Sequence, residues 1–282
     1  MKKFVFVAVA IVLFVAQASA QNAYQFQWRK DQMLNYRVQH VTSVTEIVQG
    51  NKIETSSRLN IVKRWRVVEV DAQGGALLEQ SIVALRNEQK RPGGDTLLFD
   101  SADPEKSTPE LKGMSKFLNT PIAILRVDGF GQVVEVKQGP KNKFDAEPPF
   151  VVIVPKAVAA EGQAWVRPFT LTLEPPLGNG EKHDFEQKIS CAKIASGKAQ
   201  LAVTIQLKSP PLAAAAQVPL LQKQMQGQVV FDLERGVMLR AELAVDRAVE
   251  GHQGNGSSYR FASSYLEEYV EPTGVVPASG TK

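Results

Sequence analysis

The sequence predicts a mainly β protein: a curved antiparallel sheet or open barrel of long meandering strands, with one or two short helices. Three observations point there. Apolar residues recur at every second position over long stretches. Gly, Asn and Asp turn residues punctuate those stretches. Only two short segments read as helix.

The first strand is carried by Leu34, Tyr36, Val38, His40, Thr42 and Val44, alternating with Asn35, Arg37, Gln39 and Ser43. That is the period of a half-buried strand. Gly50-Asn51 supplies a turn. The next strand, about Thr55 to Val70, changes phase: Trp65 and Val67 share one face, Val68 and Val70 the other. This predicts a β-bulge or an edge where burial switches sides. Asp71 to Gly75 is a turn, and Ala76 to Leu85 is apolar on both faces, as a central strand would be. Arg91 to Asp95 is a loop. Ser107-Thr108-Pro109-Glu110 offers a hydroxyl N-cap, then Pro and an acid in the first turn. Leu111, Met114, Phe117 and Leu118 follow, so a short amphipathic helix is expected, ending near Asn119.

A hairpin runs from Ile124 to Val136 through Asp128-Gly129-Phe130-Gly131. Residues 138–164, with Gly139-Pro140, Pro148-Pro149 and Pro155, read as a connector. The β pattern resumes at Trp165, with Phe169, Leu171 and Leu173 in one phase. Asn179-Gly180 is a hairpin signal. Phe185 to Ile194 and Ala199 to Leu207 flank Ser196-Gly197. After Pro210-Pro211, Leu212 to Met225 has the makings of a second helix, which Pro219 must end or kink. Val237 to Val245 alternates cleanly. Gly254-Asn255-Gly256 turns the chain into a last strand with Tyr259, Phe261, Ser263 and Tyr265.

"VVEVDAQGGALLEQSI", "ILRVDGFGQVVEV" and "VVFDLERGVMLRAEL" share one plan: apolar residues, Asp, Gly, apolar residues. Asp232 lacks the further oxygen ligands of a calcium loop. Asp232 to Gly236 therefore reads as a hairpin connection, with Asp bonding the turn backbone and Gly taking a positive φ. The expected organisation is a single β-rich domain over 21–271, or two similar halves, 22–137 and 165–270. A disordered tail over 272–282 follows. Duplication and recurring hairpin chemistry both account for the similarity of the halves.

Lys2 and Lys3, the apolar run Phe4 to Val15 and Ala18-Ser19-Ala20 have the layout of a secretory signal peptide over 1–20, cleaved before Gln21. An uncleaved anchor is the competing reading. The protein is thus expected to be exported, to the periplasm or the extracellular space, with no transmembrane segment once the signal is removed. Half of the formal charge of +4 belongs to Lys2 and Lys3. The remaining basic residues are dispersed, so nucleic acid is not an expected partner. Cys191 is the one cysteine, which excludes an internal disulfide; it shares phase with Phe185 and Ile189 and reads as a buried thiol.

No chemistry-bearing constellation emerges. His40, His183 and His252 are not spaced as metal ligands. Ser190-Cys191-Ala192-Lys193 fits S-x-x-K, but in a strand positions i and i+3 face opposite ways. Glu267 and Glu268 likewise point to opposite faces. The expectation is no catalytic residue, no metal, no cofactor and no enzymatic activity. His40, with Tyr36 on the apolar face of the first strand, is a candidate for lining a cavity. The competing reading is a core-edge imidazole bonded to a backbone carbonyl.

"LNYRVQHVTSVTEI", the run from Trp65 to Ala76, "ILRVDGFGQVVEV", "VPKAVAAEGQAW", "VVFDLERGVML" and the Tyr-rich last strand together resemble an uncharacterised family of exported bacterial β proteins, over most of residues 25–270. Gln163 stands where that family tends to carry Asp. The resemblance implies no activity and no catalytic residue. More distantly, the architecture is similar to the half-barrels of periplasmic lipoprotein carriers. Two functions are therefore expected. One is a non-enzymatic module binding or carrying an apolar ligand, with Ala76 to Leu85 as lining and the helix near Leu111 to Leu118 as lid, unless these simply pack together as core. The other is an envelope structural or assembly protein that offers sheet edges to a protein partner.

Overall fold

A computed structural model describes residues 23–139 and 152–271. The expected signal cleavage site (Ala18, Ala20, Gln21), most of the first half of the connector, and the tail from Pro272 lie outside the described residues. The strands are β1 (Met33–Val48), β2 (Asn51–Val70), β3 (Ala76–Lys90), β4 (Thr96–Asp100), β5 (Pro121–Val127), β6 (Val133–Gln138), β7 (Ala164–Thr172), β8 (Lys182–Ala195), β9 (Lys198–Leu207), β10 (Gln226–Asp232), β11 (Val237–Glu250) and β12 (Ser258–Val270). One α-helix, α1 (Ala214–Leu221), lies between β9 and β10.

Among the described residues twelve strands form one open sheet in the order β6-β5-β3-β2-β1-β12-β11-β10-β9-β8-β7, with β4 pairing the far end of β3. Each wing is a meander. The first and last strands meet at the middle, from Asn35 opposite Val270 to Ile47 opposite Ser258, antiparallel. The sheet is rolled. Six strand steps separate β3 from β9, which would be roughly 29 Å on a flat sheet. Yet Gln80 of β3 and Ile205 of β9 line one hollow. Gly227 in β10 marks a tight point of the roll, since an added Cβ would run into the Glu242 carbonyl of β11.

One end of the roll is filled. The segment before β1 alternates buried Tyr24, Phe26 and Trp28 with exposed Gln25, Gln27 and Arg29. It runs inside the sheet. Phe26 stacks on Trp28 at 4.9 Å and meets Phe231 edge-on at 5.1 Å. Its backbone is tied to two hairpin turns: Phe26 N–H donates to the Gly129 carbonyl (2.8 Å) and Gln27 N–H to that of Gly236 (3.1 Å). Tyr36, Trp65, Leu78, Leu125, Phe185 and Leu201 complete this core.

The three Asp–Gly segments are turns of one construction. Asp71 Oδ1 accepts from the backbone of Gln73 and Gly75, Asp128 Oδ1 from Phe130 and Gln132, and Asp232 Oδ1 from Glu234 and Arg235. Gly236 adopts φ +60°. The phase change in β2 is a bulge at Val68, where Val67 pairs with Leu78 and Glu69 with Leu77. The helix expected after Ser107 is a 3-10 segment, Pro109–Phe117. Leu111, Met114 and Phe117 recur every third residue, which matches three residues per turn rather than 3.6. None of its residues is buried. Pro219 sits inside the last turn of α1, which ends two residues later.

Candidate functional site

The concave face is hollow where the core stops. Val38, His40 and Thr42 of β1, Leu59, Ile61 and Lys63 of β2, and Phe261, Ser263 and Tyr265 of β12 share that face by strand alternation. They enclose, with Leu243, Ile205, Met225, Lys223, Gln222 and Gln80, a cavity of about 450 Å³. The double proline after β9 breaks the strand; α1 follows it, and Gln222, Lys223 and Met225 beyond the helix border the cavity. Leu220 and Leu221 anchor that helix in the core, and Ile205 N–H donates to the Met225 carbonyl at 2.9 Å.

A second hollow of about 730 Å³ opens against α1, lined among others by Leu173, Leu177, Pro211, Val218, Pro219 and Tyr259. Gln222 and Phe261 border both hollows, so the two adjoin.

The floor of the first cavity is polar. Lys63 and Glu267 form an ion pair at 2.6 Å, with side chains 6% and 0% exposed. Tyr265 Oη donates to the other Glu267 oxygen at 2.5 Å. Both carboxylate oxygens are thus engaged, as a buried charge requires. Glu268 points the other way and pairs with Arg240. Lys63 and Glu267 are committed to each other, which suits a structural pair more than an acid–base one. Among the described residues no group of three His, Cys, Asp or Glu side chains is placed to hold a metal ion.

His40 lines the cavity. Its Nε2 hydrogen-bonds the Ser263 hydroxyl at 2.8 Å, not a backbone carbonyl, and its ring meets Tyr265 edge-on at 5.7 Å. Burial holds its pKa below the ordinary value. The native state therefore binds fewer protons than the unfolded chain below about pH 6.5, and stability falls as pH drops through that window toward the folded pKa. An NMR titration is expected to place the His40 midpoint below about 6.5, and a His40→Gln variant to lose part of the acid sensitivity. A midpoint above that value would contradict a desolvated imidazole.

Tyr36 lies deeper. It is 2% exposed in the core, edge-on to Tyr269 at 5.6 Å. Burial first, and the Glu267 charge second, push its phenol upward. Of the two candidate lining residues, the wall takes His40 and the core takes Tyr36. The expected lid also differs. The Leu111–Leu118 segment lies beyond β4, with Met114 Sδ 3.8 Å from Asn87 Nδ2; instead α1 borders the second hollow, and Gln222, the residue that caps it, borders both. The strand Ala76 to Leu85 gives the first cavity only Gln80. His183 borders the second hollow. Cys191 is a buried free thiol.

A rolled, open antiparallel sheet, filled at one end and hollow beside a short helix, defines a half-barrel. No family model and no curated protein matches the chain. Among solved structures, it is similar to one of lipovitellin that describes lipid–protein interactions, at 10% identity and a TM-score of 0.43, over 90% of this chain and 26% of that one. It is also similar to a Vibrio parahaemolyticus domain designated an outer membrane lipoprotein-sorting protein domain, at 12% identity and TM-score 0.14, over 86% and 87% of the two chains. A third is the Pseudomonas aeruginosa MucA/MucB complex, at 9% identity and TM-score 0.15, over 84% and 90%. The chain spans about a quarter of the lipovitellin chain it matches. Scores this low carry no argument about function. Among the described residues no helix is long and apolar enough to cross a membrane.

Proposed function

We propose that the protein is an exported, non-enzymatic binding module that holds an elongated apolar ligand on the concave face of its half-barrel. One observation carries this: two adjoining hollows share Gln222 and Phe261 beside α1, and their walls are mostly apolar. The first has the volume of a small-molecule site, about 300–1,000 Å³. Export with cleavage of the signal rests on the Lys2-Lys3, Phe4–Val15 and Ala18–Ala20 pattern; an N-terminus at Gln21 in protein from the host supports cleavage, and an intact Met1 refutes it.

Leu59→Trp is the test. Leu59 is half-buried on the cavity wall, so an indole there would fill the hollow with little displacement of the core. Displacement of a fluorescent apolar dye by palmitate is expected to weaken about tenfold or more, while stability changes by less than about 1 kcal/mol. Unchanged binding would show that the hollow does not hold the ligand.

The reading as an envelope assembly protein rests on the outer edges of the sheet, β6 and β7. β6 is six residues long, and β7 is nine and carries Pro168. Short or proline-bearing edges discourage strand addition, so the concave face is the better-supported site.

A further inference from the structure

Resting on the reading above, we infer that the ligand is an anionic single-chain amphiphile whose acidic head pairs with Lys223 in the inner cavity and whose chain runs past Phe261 into the second hollow. The juxtaposition behind this is electrostatic. Among the described residues the inner wall carries Lys63, Lys223 and His40 and no Asp or Glu. Two of those three are already committed. Lys63 is neutralised by Glu267 behind the wall. His40 is bonded to Ser263, and its burial disfavours the charged form.

Lys223 is different. It lies two residues beyond the end of α1, is half-buried and faces the cavity. Among the described residues no carboxylate pairs with it. A cation turned into a partly desolvated hollow without a counter-ion is a receptor for one, because a charge-assisted hydrogen bond gains strength where water is scarce. Gln222 beside it and the Ser263 hydroxyl across the cavity supply neutral polar contacts for the remaining head-group atoms.

The second hollow has the opposite character. Among the described residues its titratable lining groups are Glu181, His183 and Tyr259, with no lysine or arginine. Glu181 accepts from the Asn179 backbone N–H at 2.5 Å, and that bond, the first of its causes, holds the carboxyl below its ordinary pKa. An acidic head is repelled from this side, whereas Leu173, Leu177, Val218, Pro219 and Tyr259 suit a hydrocarbon chain. The charge asymmetry therefore fixes the orientation: head toward Lys223, tail toward the turn between β7 and β8.

The experiment compares palmitate with its primary alcohol, in displacement of an apolar dye from the mature chain, at a pH where the carboxylate is ionised. Wild type is expected to prefer palmitate roughly ten- to a hundredfold, the worth of one hydrogen bond to a charged group. Lys223→Gln is expected to abolish that preference while changing alcohol binding far less, and an unchanged unfolding midpoint shows that the variant is folded. Lys52→Gln, on the exposed β1–β2 tip, is expected to keep the preference. Equal binding of acid and alcohol by wild type, or a preference that survives Lys223→Gln, overturns the anionic head and leaves the apolar-ligand reading standing. Binding of neither compound overturns both.

Discussion

Lys63→Met is expected to cost about 3–5 kcal/mol in chemical denaturation, because it leaves Glu267 charged, buried and without its counter-ion. The Glu267 side chain is fully buried and that of Lys63 is 6% exposed, so water cannot take the place of the missing partner. Tyr265 still donates to one carboxylate oxygen, which supports the charge but does not balance it. Glu267→Gln is expected to be nearly as damaging, since it removes the carboxylate that balances the buried Lys63 ammonium. The double variant Lys63→Met/Glu267→Leu is the informative one. With both charges gone the desolvation cost disappears too, and most of the stability is expected to return. A double-mutant cycle then yields a coupling energy of a few kcal/mol. Lys52→Met supplies the scale: the Lys52–Glu54 pair is more than half exposed on both sides, and its loss should cost under about 1 kcal/mol. If Lys63→Met costs no more than Lys52→Met, the pair is not a buried support of the fold.

That pair also marks where sequence reasoning stops. Lys63 sits in phase with Ile61 and Trp65, and Glu267 in phase with Tyr265 and Tyr269. A charge in phase with a buried face signals that a partner must exist. Nothing local names it. β1 lies between β2 and β12, so the pair exists only because the first and last strands meet and the sheet curls. Features fixed by neighbouring residues were legible. The Asp–Gly turns at Asp71, Asp128 and Asp232 follow from a carboxylate that reaches amides two to four residues on. The bulge at Val68 follows from two adjacent valines in opposite phase.

The cavity was only half legible for the same reason. His40 falls on its wall because alternation along β1 places it there. Tyr36 has the same phase, yet the segment with Tyr24, Phe26 and Trp28 fills that end of the roll. Those three residues alternate as a strand does; whether they join the sheet or plug it is a matter of tertiary packing. Leu111–Leu118 does not border the cavity, because a recurrence of three residues makes a 3-10 segment with no buried side.

Gly236→Ala is expected to destabilise the protein by about 2–4 kcal/mol, from two separable sources. The first is backbone strain: Gly236 adopts φ +60°, where a Cβ costs about 1–2 kcal/mol. The second is collision. An added Cβ would stand 2.5 Å from the Gln27 nitrogen and 2.6 Å from the Gln25 carbonyl oxygen. Both are backbone atoms, so relief requires the whole segment to move. The Gln27 N–H bond to the Gly236 carbonyl and the packing of Phe26 on Phe231 are lost with it. Gly256→Ala separates the two sources: Gly256 has φ +76° and open space where the Cβ would go, so it should show the strain alone. Hydrogen exchange supplies a second readout. The amides of Phe26 and Gln27 are expected to lose protection in Gly236→Ala and to keep it in Gly256→Ala. Equal destabilisation by the two variants would mean that the N-terminal segment does not depend on the β10–β11 turn. The predicted difference instead makes that turn a clamp: Asp232 shapes it, Gly236 lets the segment pass, and the aromatic plug it holds closes one end of the roll and leaves the other hollow.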